Sequence, residues 1–492
     1  MIKYSFHSQL TIEEFKTPFQ CNLSKDNRWV KLGELIPWDH LAAYYMKTMS
    51  SETGRSGVSP QTVIGAMILK HKLKLSDIET IETIKENPYM QFMLGLNEFQ
   101  EEAVFDPSLF VTIRKRMSAE LFDQFNQELI KCAEAKKDNS HNKRNKDEEG
   151  NPKNKGKLQM DATVADQEIK YPTDHDLLNT SRLISEEVID FLSEALNLSP
   201  KPRTYRREAR KDFLNLSKKR KKTKKDVRRC TKHQLQYLRR NFKTINKLLD
   251  KFEHIPLPAK LLKQYWVIQH LYAQQNFMYK NSIHRCDDRI VNIFQPHVRP
   301  IVRGKQKSRV EFGAKLGLSL SNGFSRLDTI SWDAYNESYD LKKSVESYHK
   351  LHGHYPDLLQ VDQIYATKEN RAFLKSLGIR ITAKPLGRPS KQRKEETAYQ
   401  RRKRKTEFNE RNHVEGKFGQ AKRGYNMNNV RAKRSDTSKS WVSCIIFVLN
   451  LLRLKQIFIS FAQIGVFSKN MYSKWTILIV KISNYEKRDK FA

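Results

Sequence analysis

The chain has 492 residues, of which 91 are Lys or Arg and 55 are Asp or Glu, so its net charge is +36. A cationic excess of this size indicates a polyanionic partner, most often nucleic acid. The absence of any Cys-x-x-Cys pair excludes a zinc ribbon and a disulfide framework, which is typical of a reducing, cytoplasmic protein. The widely spaced cysteines are Cys21, Cys132, Cys230, Cys286 and Cys444.

An α-helical domain is predicted for residues 1–135. Ser59-Pro60 is a helix-start signal followed by an apolar stripe, and a second helix is expected around residues 78–84. Asp106-Pro-Ser starts another helix, which we expect to continue to Leu121.

A linker is predicted for residues 136–157, because this stretch is rich in Lys, Asn, Asp, Glu and Gly and has no apolar run. A short alternating strand then begins at Leu158. We expect this strand to stop at Asp161.

A basic helical insert follows the first strand, over residues 176–300 or thereabouts. Apolar residues recur at helical spacing on both sides of a dense cationic segment, so the insert is predicted to be a long helical arm. Lys221 and Lys222 lie in the run of Lys and Arg at residues 218–225. Such a run can be a solvated face, but on so basic a chain we favour a track for DNA phosphates.

Strands return after the insert. The pair Asn322-Gly323 predicts a hairpin between two strands. A helix over residues 339–352 leads to a buried strand that stops at Asp362, and a further helix and strand are expected over residues 370–377 and 379–383.

Residues 405–422 are predicted to form a helix that carries several functional side chains on one face. Phe408, Arg411, Glu415 and Lys422 fall within an arc of about 60° at helical spacing. This face carries one acid, two bases and an aromatic ring. We interpret the acid as a metal-binding carboxylate and the bases as contacts to phosphate.

An apolar helix is predicted from Trp441, ahead of a C-terminal tail over residues 456–492. Arg453 and Lys455 interrupt its apolar run, so a buried helix is favoured over a membrane span. The N-terminal residues lack a signal-peptide core.

Without the insert, the element order over residues 158–455 is strand, hairpin, helix, strand, helix, strand, helix. This is the order of an α/β ribonuclease-H-like fold with a mixed sheet. Asp161, Asp362 and Glu415 can then converge at one edge of the sheet. Three carboxylates suit Mg²⁺ or Mn²⁺ rather than zinc. Two such ions can activate an attacking oxygen and stabilise a leaving oxygen in phosphodiester chemistry.

Each of the three acids has neighbours that could take its place. Asp357 precedes its strand, where it would face the wrong end, and only Glu415 shares the helical arc with Arg411 and Lys422. The rival acids are Asp166 and Asp174 for Asp161, Asp357 for Asp362, and Glu407 and Glu410 for Glu415.

Three blocks in order carry a family resemblance. They are Met160-Asp161-Ala-Thr with Tyr171-Pro-Thr-Asp, then Val361-Asp362-Gln-Ile-Tyr365, then Arg411-Asn-His-Val-Glu415 with Lys422-Arg-Gly-Tyr. In these blocks the chain resembles the DDE transposases of bacterial insertion sequences, in the group named after insertion sequence five. The helices over residues 60–133 resemble that family's N-terminal domain.

The resemblance implies that Asp161, Asp362 and Glu415 are the catalytic, metal-binding triad. It also implies that Arg411 and Lys422 contact DNA phosphates, with Phe408 standing where the family's Tyr-x2-Arg-x3-Glu-x6-Lys signature has tyrosine. Arg388, in the basic loop Leu386-Gly-Arg-Pro389, is a further predicted DNA contact, as are Lys221 and Lys222 of the insert.

The implied activity is transposition. Metal-dependent cleavage at the ends of an insertion sequence would free a 3′-OH, which would then attack target DNA. The implied partners are terminal inverted repeats, target DNA and a second copy of the chain in a synaptic complex, with no membrane and a nucleoid-associated location. Two alternatives stay open: an inactive or repurposed DNA-binding protein of the same fold, and a nuclease without strand transfer.

Overall fold

The computed structural model describes residues 12, 14–17, 22–49, 57–141, 154–302, 310–384, 387 and 397–459. Most of the linker predicted over residues 136–157 lies outside these ranges. The predicted DNA contact Arg388 and the tail beyond residue 459 lie outside them as well.

Seven helices are described in the N-terminal part of the chain. The helix expected to start at Pro60 is confirmed, but the one expected from Asp106 to Leu121 is two helices, because Met117 leaves the helical backbone conformation (φ −81°, ψ 79°). The helices are α1 (Arg28–Gly33), α2 (Trp38–Met46), α3 (Pro60–Leu73), α4 (Asp77–Glu86), α5 (Pro88–Met93), α6 (Leu109–Arg116) and α7 (Ala119–His141).

The insert consists of helices, as predicted. It has an apolar core of its own, to which Val188, Leu238 and Ile268 each contribute a fully buried side chain. Its helices are α8 (Asp174–Ala195), α9 (Arg206–Ser217), α10 (Lys224–Leu249) and α11 (Ala259–Asn281).

A mixed sheet of six strands forms the centre of the molecule, in the order β2-β3-β1-β5-β6, with β4 also paired to β3. Strand β3 is antiparallel to β1, β2 and β4, whereas β5 is parallel to both β1 and β6. The strands are β1 (Lys157–Asp166), β2 (Arg299–Val302), β3 (Val310–Ser321), β4 (Phe324–Ser331), β5 (Leu358–Gln360) and β6 (Arg380–Ile381).

Two expectations about the strands have different outcomes. The predicted hairpin is confirmed, since Asn322 and Gly323 both have positive φ (52° and 84°) in the turn between β3 and β4. The expectation that the first strand stops at Asp161 is wrong. Strand β1 continues to Asp166 because β3 pairs with it as far as Gly313.

The helix predicted over residues 405–422 is interrupted. Helix α14 (Ala398–Glu410) ends before Arg411, α15 (Asn412–Gly419) begins after it, and Lys422 lies in a π-helical turn (Gln420–Gly424). Gly416 and Gly419, which are poor helix formers, both lie within α15, so the interruption at Arg411 does not occur at a glycine. The remaining helices are α12 (Asp340–His352), α13 (Lys368–Ser376), α14 (Ala398–Glu410), α15 (Asn412–Gly419) and α16 (Ser435–Ile459).

Helix α16 lies inside a large apolar core. Its Phe447 packs against Phe122 and Phe125 of α7, with ring centroids 6.0 and 5.5 Å apart. Among the described residues, α16 is the one helix long and apolar enough to cross a membrane, and 67% of its most apolar window is buried inside the protein. The expectation of a buried helix is therefore confirmed, and the N-terminal helices share their core with the end of the chain.

Candidate active site

Asp161 lies in the middle of β1, which is flanked by β3 and β5. Its neighbour across the sheet is Leu318, and its side chain is 16% exposed. The Ala162 backbone N–H donates a hydrogen bond to Asp161 Oδ1 (2.8 Å). A carboxylate is thus fixed on the strand with few routes to water.

Asp362 reaches the same region from the neighbouring strand. It follows β5 by two residues and begins a short 3₁₀ turn (Gln363–Tyr365). Because β5 runs parallel to β1, the chain leaves β5 on the side of the sheet where β1 presents Asp161. The Asp362 side chain is 53% exposed, so this acid faces solvent.

The three acids meet at a single guanidinium group. Arg411 Nη1 lies 3.5 Å from Asp161 Oδ2 and 3.9 Å from Asp362 Oδ2. Arg411 Nη2 lies 3.1 Å from Glu415 Oε1, one helical turn further on, where it donates a hydrogen bond. The structure therefore brings together all three predicted acids and one predicted DNA-contacting base.

Burial raises the pKa of Asp161 to about 6, since loss of water penalises the charged carboxylate most. Glu337 and Asp362 add to this rise by like-charge repulsion, whereas the Ala162 N–H and Arg411 oppose it. Arg411, only 11% exposed, thus stabilises a carboxylate that burial disfavours.

The donor atoms at this site are carboxylate oxygens, the ligands preferred by Mg²⁺ and Mn²⁺. Within the described ranges, no three His, Cys, Asp or Glu side chains form a ready metal-binding group. The Arg411 guanidinium lies between the acids. The oxygen chemistry of the three acids thus suits a hard cation, while in this structure their charge is balanced by Arg411.

The rival acids have other partners in the structure. Asp166 is at the far end of β1, and the remaining rivals form ion pairs. These pairs are Asp174 with Arg289 (2.7 Å), Asp357 with Arg380 (3.1 Å), Glu407 with Arg380 (3.6 Å) and Glu410 with Lys157 (2.6 Å). The acids that meet at Arg411 are thus the three predicted ones.

The other predicted residues lie at different places. Lys422 Nζ is 4.0 Å from Glu311 Oε1 on β3, and Phe408 is 38% exposed on α14. Lys221 and Lys222 are exposed in the loop between α9 and α10. These two lysines belong to the insert and are separate from the acid cluster.

Sequence analysis did not single out Gln159 and Gln360, two buried glutamines beside the acids. A signal was present, because the tetrapeptides Leu158-Gln-Met-Asp161 and Leu359-Gln-Val-Asp362 share the pattern Leu-Gln-apolar-Asp. The repeat places the same amide two residues before each acid.

Comparison with known proteins identifies two transposase segments in the chain. Residues 359–452 match the family described as "Transposase DDE domain", and residues 18–116 match "Transposase domain (DUF772)". Two segments of the chain thus match transposase domains, one of them a DDE domain, which confirms the resemblance to DDE transposases. The DDE match includes Asp362 and Glu415, whereas Asp161 lies before it.

One curated relative is "Uncharacterized protein ORF8 in nfe locus" from Rhizobium meliloti. It is 31% identical over 149 residues, which is 30% of this chain and 64% of the relative, less than two thirds of its length. No solved structure matches the chain.

Proposed function

We propose that the protein is a transposase that cleaves DNA at the ends of an insertion sequence and joins the freed 3′-OH to target DNA. The observation that carries this proposal is the meeting of Asp161, Asp362 and Glu415 around Arg411, each within 4.0 Å of its guanidinium. The two transposase domain matches support the same activity.

We further propose a ribonuclease-H-like catalytic core. The path β4-β3-β1-β5-β6, with β3 antiparallel to its neighbours and β5 and β6 parallel to β1, agrees with that fold. The helical insert lies between β1 and β2, so it leaves this path uninterrupted.

Asp161, Asp362 and Glu415 would hold Mg²⁺ or Mn²⁺, and we propose that two ions bind. When bound, such ions activate an attacking oxygen and stabilise a leaving oxygen. The contribution of the chain is to hold three carboxylates in one place. Burial of Asp161 raises its affinity for protons in the absence of a cation, so its ionised form needs a positive neighbour.

Arg411 would contact the phosphate next to the cleaved bond. A guanidinium can donate two parallel hydrogen bonds to phosphate, and here it already lies beside the acids. Lys422 and Arg388 are proposed as further contacts to the DNA at the element's end. Phe408 stacks or packs there without the hydroxyl of the family's tyrosine.

The insert would hold the flanking duplex. Lys221 and Lys222 lead into α10, and the helix continues their positive charge along its exposed side. Charges of this kind bind DNA phosphates without reading sequence. We also propose that two copies of the chain pair the two ends of the element.

The test uses purified full-length protein and DNA that contains the element's ends. We expect Asp362→Asn to bind these ends like the wild type and to lose cleavage in both Mg²⁺ and Mn²⁺. Asp357→Asn is the matched control, because Asp357 precedes the same strand but pairs with Arg380 instead. Cleavage by Asp362→Asn would contradict the assignment.

A strand-transfer assay on the same DNA separates the proposed activity from its alternatives. Joined products support a transposase. Cleavage without joining would indicate a nuclease, and binding without cleavage by the wild type would indicate a DNA-binding protein of the same fold.

A further inference from the structure

The two buried glutamines lie side by side on neighbouring strands. Gln159 of β1 is the register partner of Gln360 of β5, and the two side chains are 8% and 0% exposed. Gln159 Nε2 donates a hydrogen bond to Gln360 Oε1 (2.7 Å). Each amide precedes a site acid by two residues, so it lies on the same side of the sheet as that acid.

Both amides also bind the last turn of α14. Gln159 Nε2 donates to the Glu410 carbonyl oxygen (2.8 Å), and Gln360 Nε2 donates to the Glu407 carbonyl oxygen (2.6 Å). Gln360 Nε2 also lies 3.0 Å from Glu410 Oε2. The last carbonyls of a helix lack partners within the helix, so the two strands satisfy the end of α14. Arg411 is the next residue in the chain.

Helix α14 has no buried side chain of its own. Its position therefore depends on polar contacts rather than on an apolar face. Besides the glutamine pair, these contacts are ion pairs from Lys157 to Glu410 (2.6 Å) and from Arg380 to Glu407 (3.6 Å). Strands β1, β5 and β6 each supply at least one of them.

Distances along the strands and the helix agree with each other. Two residues of strand separate each glutamine from its acid, which is about 7 Å. Arg411 and the first four residues of α15 lead from Glu410 to Glu415, and at the rise of a helix these five residues span about 7.5 Å. Gln159, Gln360 and Glu410 contact one another at one level along the strands, and the three acids meet Arg411 about two strand residues further on. Fixing the first level therefore fixes the height of Glu415 and Arg411 against Asp161 and Asp362.

We propose that Gln159 and Gln360 are positioning residues for the active site. Their amides bind each other and the end of α14, and they act by holding that end so that Glu415 and Arg411 meet the two strand acids. This inference rests on the proposed function for the role of the acids, but the geometry it describes can be measured without any cleavage.

The experiment compares full-length variants. In Gln159→Met/Gln360→Met, both amides are replaced by apolar side chains of similar size, which limits the loss of stability from a single unpaired partner. The matched control is Gln91→Met, because Gln91 is also fully buried and its Nε2 donates to the carbonyls of Ile84 and Lys85 at the end of α4. Mn²⁺ affinity without DNA, DNA affinity, cleavage rate and thermal midpoint are measured for each.

We expect the double variant to bind Mn²⁺ about 10–100-fold more weakly and to cleave bound DNA slower by a similar factor, as for other groups that orient metal ligands. Its DNA affinity should stay at the wild-type level. The control should lose thermal stability but keep wild-type Mn²⁺ affinity and cleavage rate per folded molecule.

Wild-type Mn²⁺ affinity and cleavage in the double variant would overturn the proposal, and so would equal losses in Gln91→Met. Failure of the proposed function looks different. If no form of the protein cleaves DNA but the double variant still binds Mn²⁺ more weakly, the positioning role stands and the proposed reaction falls.

Discussion

The acid site and the outer face of α10 use charge in opposite ways. At the site, three acids converge on one guanidinium that is only 11% exposed. On α10, cations point outward above an apolar core, and the helix contains a single acid, Asp226. Its exposed bases are Lys224, Lys225, Arg228, Arg229, Lys232, Arg239, Arg240, Lys243 and Lys247.

Under the proposed function, this difference separates catalysis at the acid site from DNA binding by α10. Arg411 and Asp161 are both largely held out of water, and such charges depend strongly on their partners, so substitution of either has a large effect. Exposed cations on a helix act as a group through release of counterions from DNA, so each contributes a modest and salt-dependent share. Part of the α10 face is also stiffened by stacking, since the Arg240 guanidinium lies 4.6 Å from the Tyr205 ring and 5.0 Å from the Tyr237 ring.

The largest effect is expected from Arg411→Gln, which changes only the acid site. Cleavage should fall by about 10²–10³-fold, because a preorganised cation next to the reacting phosphate is lost. Mn²⁺ affinity without DNA should rise, because the guanidinium no longer competes for the acids. Arg402→Gln, an exposed change on α14, is the control and should alter neither. A fall in Mn²⁺ affinity would mean that Arg411 supports the acids rather than competing with a cation.

The buried acid Asp328, which lies outside the site, should make the free energy of unfolding depend on pH. Burial raises the pKa of Asp328 to about 6, although Ser344 donates a hydrogen bond to it (2.8 Å). The folded protein therefore binds this proton more tightly than the unfolded chain, and stability is lost as pH rises from about 4 to 6. Asp328→Asn should flatten this dependence, by a difference of order 2–3 kcal/mol. Parallel pH profiles of unfolding for the two proteins would contradict the expectation.

Neutralising two cations of α10 should give a smaller effect that is confined to binding. Lys232→Gln/Lys243→Gln should bind duplex DNA about 10-fold more weakly at 0.15 M salt, and the slope of log affinity against log salt should fall by about 2. Lys342→Gln/Lys350→Gln on α12 removes the same charge elsewhere and is the control. Equal losses in both variants would mean that only net charge matters.

The smallest effect is expected from Phe408→Tyr. The new hydroxyl can donate one hydrogen bond to a DNA phosphate, worth about 1 kcal/mol, so affinity for the element's ends should rise a few-fold. Affinity for DNA without the ends is the comparison, and it should not change. A variant that binds both DNAs like the wild type would show that the ring of Phe408 does not face the DNA.

Local signals predicted much of the fold. The helix start at Ser59-Pro60 and the turn at Asn322-Gly323 depend on neighbouring residues, and the structure agrees with each. The acids were predictable for a related reason. Element order placed acids on or just after two neighbouring strands and on a later helix, and the family resemblance implied which of these acids form the triad.

Long-range contacts account for what the sequence did not reveal. Strand β1 passes Asp161 because a partner strand about 150 residues later extends it to Asp166. The helix break at Arg411 accompanies contacts with acids on two other segments. The glutamine pair is visible in sequence only as a repeated tetrapeptide. The domain limits at residues 135 and 158–455 stay a prediction, since the N-terminal helices and α16 share one core.

That shared core has a consequence for synthesis of the chain. Phe122 and Phe125 are made more than 300 residues before Phe447, the side chain that covers them. The face of α7 that packs against α16 can therefore be covered only after the ribosome has translated Phe447. Products released early would expose that face and become substrates for chaperones and proteases.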